Sequence, residues 1–197
     1  MPNPSLKKYL SGFKSIRGVL VAVGILLPGY AYFTKYAPPF FSGITLLTAA
    51  FATAIIFITY YYNVPQESDS QQGLPPMIKK AVKVLIASFI LLVLYLVLLD
   101  SCTVLIPGTD ARVQIGFGKL DWSLTDYGKQ IKYSDSIAST QQWLNDEGFR
   151  KDVAKIFWKT WSIYASGILM IFVFMFAFVL WTFGWSLIAK QRALDAN

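Results

Sequence analysis

Histidine is absent from the 197-residue chain, a single cysteine is present, and charged side chains account for 15% of the total. Without imidazole there can be no triad of the Ser-His-Asp type and no zinc site built on histidine. One thiol can neither close an intramolecular disulfide nor supply a four-thiolate cluster. Most hydrolytic mechanisms are thereby removed. No carboxylate pair stands in an apolar setting that would separate two pKa values for acid and base work. We therefore expect a non-enzymatic protein with no cofactor and no metal. What the chain has in abundance is apolar surface: 55% hydrophobic and 16% aromatic residues, with a mean hydropathy of +0.48. That balance lies outside the range of soluble domains. The expected class is an all-α integral membrane protein with four transmembrane helices and a small mixed α/β extracytoplasmic domain between the third and fourth.

The first apolar stretch, Gly18 to Phe33, has 16 residues without a charge and reaches span length when the segment is taken as 18–36. Pro28 and Gly29 would kink it. The leader before it is long for a signal peptide, so Gly29-Tyr30-Ala31 is expected to be retained in the chain rather than cleaved. The second stretch, Phe40 to Tyr62 within 37–62, carries 23 uncharged residues and ends in Tyr60, Tyr61 and Tyr62, an interfacial aromatic belt. The third, 81–100, has an apolar centre from Val84 to Leu99, with Lys83 snorkelling at one end and Asp100 closing the other. The fourth, 160–189, is an uncharged run of 30 residues from Thr160 to Ala189. As a helix it would measure about 45 Å against a hydrocarbon core of about 30 Å, so it must tilt or protrude. Trp158 and Trp161 at its start and Trp181 and Trp185 near its end would mark the two interfaces.

The cation count orients these spans. Nine Lys and Arg (Lys7, Lys8, Lys14, Arg17, Lys79, Lys80, Lys83, Lys190 and Arg192) fall before the first span, between the second and third, and after the fourth. The hairpin between the first two spans has only Lys35, and from Asp100 to Lys159 eight basic and eight acidic residues cancel. The positive-inside rule places both termini and the 63–80 linker in the cytoplasm, with 101–159 outside, although Arg150, Lys151, Lys155 and Lys159 pull the other way.

Outside the bilayer, residues 1–17 repeat Leu6, Tyr9, Leu10, Phe13 and Ile16 at intervals of three and four, opposite Lys7, Lys8 and Lys14. With Arg17, these cations suit an amphipathic segment lying on the anionic inner leaflet, each adding about 1 kcal/mol of attraction. The linker, rich in Pro, Gly, Ser and Gln, lacks the apolar surface to fold alone. If a cytoplasmic protein docks on the chain, its surfaces are the N-terminal segment, the linker and the tail, with Glu67, Asp69, Lys79, Lys80, Lys190 and Arg192 as candidate contacts. In the outer loop, Thr103 to Ile106 and Arg112 to Phe117 read as paired strands joined by a turn at Pro107-Gly108-Thr109-Asp110. Leu120 to Leu124 and Gln130 to Tyr133 read as two more short extended pieces. From Ser139 or Thr140 the pattern turns helical, with Trp143, Leu144, Val153, Ile156, Phe157 and Thr160 on one side. Gly148 breaks it, and Asn145, Asp146 and Glu147 suit the start of a second piece that could run unbroken into the fourth span.

Within the second span, Thr45, Thr48, Ala52, Ile56 and Thr59 share one helical face, and Thr45, Ala49 and Thr53 have small-residue spacing. Both patterns fit close helix packing, within the chain or between copies. A water-facing Thr stripe in an oligomeric pore is the alternative. Phe172, Phe174, Phe176 and Phe178 alternate by two, which spreads their rings around a helix for lipid contact. Cys102 is expected to be a small buried thiol, with a bridge between two subunits as the alternative. Gly116-Phe117-Gly118-Lys119 lacks the strand, glycine spacing and following helix of a phosphate loop.

The order of spans and loops, Gly18 to Phe33, Phe40 to Tyr62, Val84 to Leu99, the long outer loop and Thr160 to Ala189, resembles the membrane subunit of the bacterial Kiwa anti-phage system. The likeness is one of layout along the whole chain, and no functional residue is carried over from it. It implies a multi-pass protein of the bacterial inner membrane, assembled as a homo-oligomer, that detects infection at the envelope and relays it to a cytoplasmic, DNA-binding companion. The partners expected are thus the lipid bilayer, further copies and a cytoplasmic protein, with no direct contact to nucleic acid. An immunity protein that blocks an envelope-acting toxin through the outer loop is a further reading of the same layout.

Overall fold

The computed structural model describes residues 43–61, 75–106, 108, 112–134, 140–146 and 153–195. The amphipathic segment with Lys7, Lys8, Lys14 and Arg17, the first span with Lys35, the linker acids Glu67 and Asp69, and Gly148, Arg150 and Lys151 lie outside them. In chain order the elements are α1 (Ile44–Tyr61), α2 (Pro76–Cys102), β1 (Thr103–Leu105), β2 (Arg112–Gln114), α3 (Asp126–Ser134), α4 (Thr140–Asp146), α5 (Ala154–Phe157) and α6 (Thr160–Asp195). The chain is mostly helical. Two helices, α2 with 27 residues and α6 with 36, are long and apolar enough to cross a membrane. The 18 residues of α1 make about 27 Å of helix, short of a hydrocarbon core of about 30 Å.

Both long helices outrun the expected spans. Proline at the first helical position costs no hydrogen bond, so α2 begins at Pro76 with the Pro75 carbonyl accepting from Ile78 and Lys79 (2.9 and 3.0 Å). Lys79 and Lys80 therefore belong to the helix rather than to the linker, and α6 carries the expected tail in helical form to Asp195.

The described residues divide into two compact units. Among the described residues the first comprises 43–61, 75–92 and 175–195. In it, α2 and α6 run antiparallel, with small residues at the points of approach. Ser88 Oγ donates to the Ala177 carbonyl (2.6 Å). Near Ala81, a Cβ added at Gly184 would stand 2.7 Å from Leu85 Cγ. Met77, Ala81 and Leu187 are buried together beside Phe183, Ile188 and Leu194. This is the small-residue packing that membrane helices use when lipid provides no hydrophobic drive between them. At α1, Ile56 and Tyr60 pack with Ala189 and Trp185, and Lys190 Nζ donates to the Thr59 and Tyr60 carbonyls (3.1 and 2.7 Å). A cation there satisfies the open carbonyls at the negative end of α1.

The second unit, among the described residues, is Val93–Phe174. The expected strand pair is present: β1 and β2 are antiparallel, with Thr103 opposite Gln114 and Leu105 opposite Arg112. Its apolar face, Val104 and Val113, joins a core of Leu124, Trp143, Leu144, Val153, Phe157 and Trp158. Four expectations are overturned. Leu120 to Leu124 forms turns, with Leu124 making one isolated bridge to Trp158. Gln130 to Tyr133 lies in α3, whose start is capped by Thr125 Oγ1 accepting the Gly128 amide (3.0 Å). Gly128 is buried against α5, where an added Cβ would meet the Phe157 carbonyl oxygen at 2.2 Å. Asn145 and Asp146 end α4 instead of opening the next helix.

Entry into the fourth span also differs from the expectation. The chain does not run unbroken from α5 into α6, because Trp158 is extended (φ −113, ψ 141). Its backbone and those of its neighbours pair with 123–125: the Thr125 amide donates to the Phe157 carbonyl and the Lys159 amide to the Ser123 carbonyl, both at 2.9 Å. This short ladder replaces the helical hydrogen bonds that the break removes. Ile156 and Thr160, expected on the inner face, are exposed as a result.

We predict that Gly184→Leu forces α2 and α6 apart, costing about 1–3 kcal/mol as overpacking does elsewhere. The check is thermal unfolding in detergent; an unchanged midpoint would show that the helices do not approach closely at this residue.

Candidate functional site

The densest polar arrangement in the second unit is the outward face of the β-ribbon, where alternation puts Thr103, Arg112 and Gln114 on the side opposite the core. Gln114 Nε2 donates to the Ile163 carbonyl (2.6 Å) and to Ser166 Oγ (2.9 Å), joining the ribbon to the opening turns of α6. Ser166 Oγ lies 2.9 Å from both the Ile115 and Ile163 carbonyl oxygens, so its one proton serves either. Ser162 Oγ donates to the Ser123 carbonyl (3.2 Å). Arg112 Nη1 donates to Thr103 Oγ1 (2.9 Å), which in turn donates to the Leu99 carbonyl of α2. Tyr95, also on α2, is buried and packs on Phe174 of α6 with ring centroids 5.2 Å apart.

Two atoms of this face, Arg112 Nε and Gln114 Oε1, are buried with no hydrogen-bond partner among the described residues. One is a donor and the other an acceptor. They offer positions for a water or small polar group. No acid and base stand together here, and among the described residues no group of three His, Cys, Asp or Glu is placed to hold a metal.

Around this junction lie two aromatic groups. Inside, Trp143 stacks on Phe157 (5.6 Å) and touches Trp158 (6.0 Å), with Lys119 Nζ 4.7 Å from the Trp143 ring centroid. Trp158, expected at the membrane interface, is wholly buried, its Nε1 donating to the Gly118 carbonyl (2.7 Å). Burial of so large a ring with its N–H satisfied explains the chain break beside it. Outside, Phe117, Trp122 and Trp161 form a row with centroids 5.0 and 5.6 Å apart. Trp161 is exposed. Trp122, 39 positions away in sequence, carries no periodic signal that could have placed it there.

The remaining candidates are distributed as follows. On α1, Thr48, Ala52, Ile56 and Thr59 are buried within this chain, with the Thr48 and Thr59 hydroxyls donating to the Ile44 and Ile55 carbonyls (both 2.7 Å). Thr45 lies on the same helix, Ala49 is half-buried, and Thr53 is exposed with its hydroxyl on the Ala49 carbonyl (2.8 Å). Cys102 is buried. Of the docking candidates, Lys79 and Arg192 are exposed and Lys80 is half-buried, whereas Lys190 is 2% exposed and engaged with α1. Phe172 and Phe176 are exposed, whereas Phe174 and Phe178, expected to contact lipid with them, are buried within the chain.

On the exposed side of α3, Asp121 accepts from Lys132 Nζ (2.5 Å) and Tyr133 Oη (2.6 Å). The hydrogen bond from Lys132, then that from Tyr133, holds the Asp121 carboxyl below its ordinary value of 3.8. The bond to Asp121 correspondingly raises Lys132. No protein-family model matches the chain, and no curated protein or solved structure is significantly similar to it.

A carboxyl whose folded pKa lies below its unfolded one stabilises the fold fully above the unfolded value and loses that contribution as pH falls through the folded one. The anchoring of α3 should therefore weaken as pH falls below 3.8. Amide exchange across 126–134, corrected for intrinsic rates, should show this loss in the wild type and not in Asp121→Asn, where protection is already reduced at neutral pH. Identical pH profiles for the two proteins would refute it.

Proposed function

We propose that the protein is a non-enzymatic four-span scaffold and sensor of the bacterial inner membrane, working as a homo-oligomer that detects an envelope event in anti-phage defence and recruits or regulates a cytoplasmic protein. In this reading α2 and α6 are two of four crossings, the others being 18–36 and 37–62, and α1 forms part of the second. Both termini and the linker between residue 62 and the start of α2 are cytoplasmic, and the second unit's small domain lies outside.

The observation that carries the reading is the outward apolar surface of the long helices. On α2, Phe89 and Ile90 are 62% and 61% exposed, alongside Val82, Ile86, Val93, Leu94, Leu96 and Val97. At about 25 cal/mol per Å² of apolar surface, such a helix is solvated by lipid or by further copies rather than by water. Lys79, Lys80 and Lys83 at the start of α2 and Arg192 near the end of α6 support a cytoplasmic position for those ends. The resemblance in layout to the Kiwa membrane subunit supplies the class of companion, a cytoplasmic DNA-binding protein, and leaves nucleic-acid contact to it. Burial of Thr48 and Thr59 inside their own chain favours packing over a water-filled pore for that stripe.

Purification of the tagged full chain should bring down a cytoplasmic companion, and replacing residues 63–74 with Gly and Ser should reduce its recovery at least severalfold. Absence of any cytoplasmic companion contradicts the scaffold reading. Undiminished recovery after the replacement contradicts docking through the linker.

A further inference from the structure

We propose that the small domain of the second unit is itself anchored in the bilayer interface, with Leu120 and Trp122 seated at the headgroup level beside Trp161. The inference rests on the reading of α6 as a membrane crossing and adds to it a second membrane contact from a loop that has no span of its own.

Along α6, Trp161, Tyr164, Ile168 and Phe172 are exposed at intervals of three and four, which is one continuous face of a helix. In a crossing helix that face meets lipid. Trp161 opens it. Trp122 stacks on Trp161 with centroids 5.6 Å apart and planes 22° from parallel, so the face continues from the helix onto the turn at 120–124. Phe117 extends the row from Trp122 (5.0 Å). All three side chains that would seat there remain open: Leu120 is 50% exposed, Trp122 47% and Trp161 54%.

Two stacked indoles left half-bare at the head of a lipid-facing stripe, with half-exposed Leu120 two residues before Trp122, match the interfacial preference of tryptophan, whose ring is apolar and whose N–H can donate to headgroup oxygens. Continuity with the stripe is what selects lipid over another protein as the occupant. The ribbon and the 123–125 ladder hold the turn against the start of α6, so the platform is preset: Ser162 Oγ reaches the Ser123 carbonyl (3.2 Å), and the Lys159 amide donates to the same oxygen (2.9 Å).

Nitroxide labels test this on the full chain in liposomes of phosphatidylethanolamine and phosphatidylglycerol. Single cysteines replace Leu120, Ile168 or Gln130, all exposed, and the wild-type chain with its buried Cys102 is the label-free control. Collision rates are read with oxygen, which concentrates in lipid, and with a water-soluble nickel chelate. Position 168 should be oxygen-accessible and nickel-protected, and position 130 nickel-accessible. Position 120 should be severalfold better protected from nickel than 130 while staying open to oxygen. A label at 120 as nickel-accessible as 130, with 168 in lipid, overturns the anchor alone. Protection at 120 from both reagents means that protein covers the platform and also overturns it. A nickel-accessible label at 168 overturns the membrane crossing of α6 and the anchor with it.

Discussion

Close approach of two apolar helices is the constraint on which the first unit depends. In the proposed membrane setting the hydrophobic effect gives such rods no reason to associate, so contact has to come from dispersion and hydrogen bonding, and both need short distances. Ala81, Ser88, Ala177 and Gly184 provide them. The bond from Ser88 to the Ala177 carbonyl can form only because neither helix places a large side chain between the two backbones. Lys190 acts similarly at the end of α1, closing a helix terminus that would otherwise leave carbonyls open.

The second unit solves a different problem. A loop domain with no disulfide must be held by its own core and by the helix that follows it. The core is an aromatic cluster around Trp143, Phe157 and Trp158. The hold on α6 is polar: Gln114 and Ser166 on one side, Ser123 and Ser162 on the other. The break at Trp158 serves both, since the extended backbone lets the indole turn into the core and gives its neighbours to the 123–125 ladder.

Those parts of the fold that follow from local periodicity were legible in the sequence. The centre of α2, the uncharged run of α6 and the Thr103 and Arg112 strands all follow from hydropathy or alternation. What was not legible depended on partners distant in sequence. Gln130 to Tyr133 reads as extended between its flanking residues, and only the Thr125 cap with Asp126 behind it signals α3. Trp158 and Trp161 look alike three positions apart, yet one is buried and the other exposed because the chain breaks between them. Lys190 reads as a tail cation until the end of α1 is seen beside it. The polar face of β2 and the position of Trp122 required the fold itself.

The proposed function requires α2 and α6 to cross a bilayer in opposite directions, with the loop domain exposed on one side and the outer ends of both helices on the other. Labelling of single cysteines at positions 79, 130 and 192 with a membrane-impermeant maleimide, in intact spheroplasts and in inverted vesicles, tests it most directly. The account predicts that position 130 reacts from the spheroplast exterior and that 79 and 192 react only in inverted vesicles. Reaction of all three from the same side would contradict it.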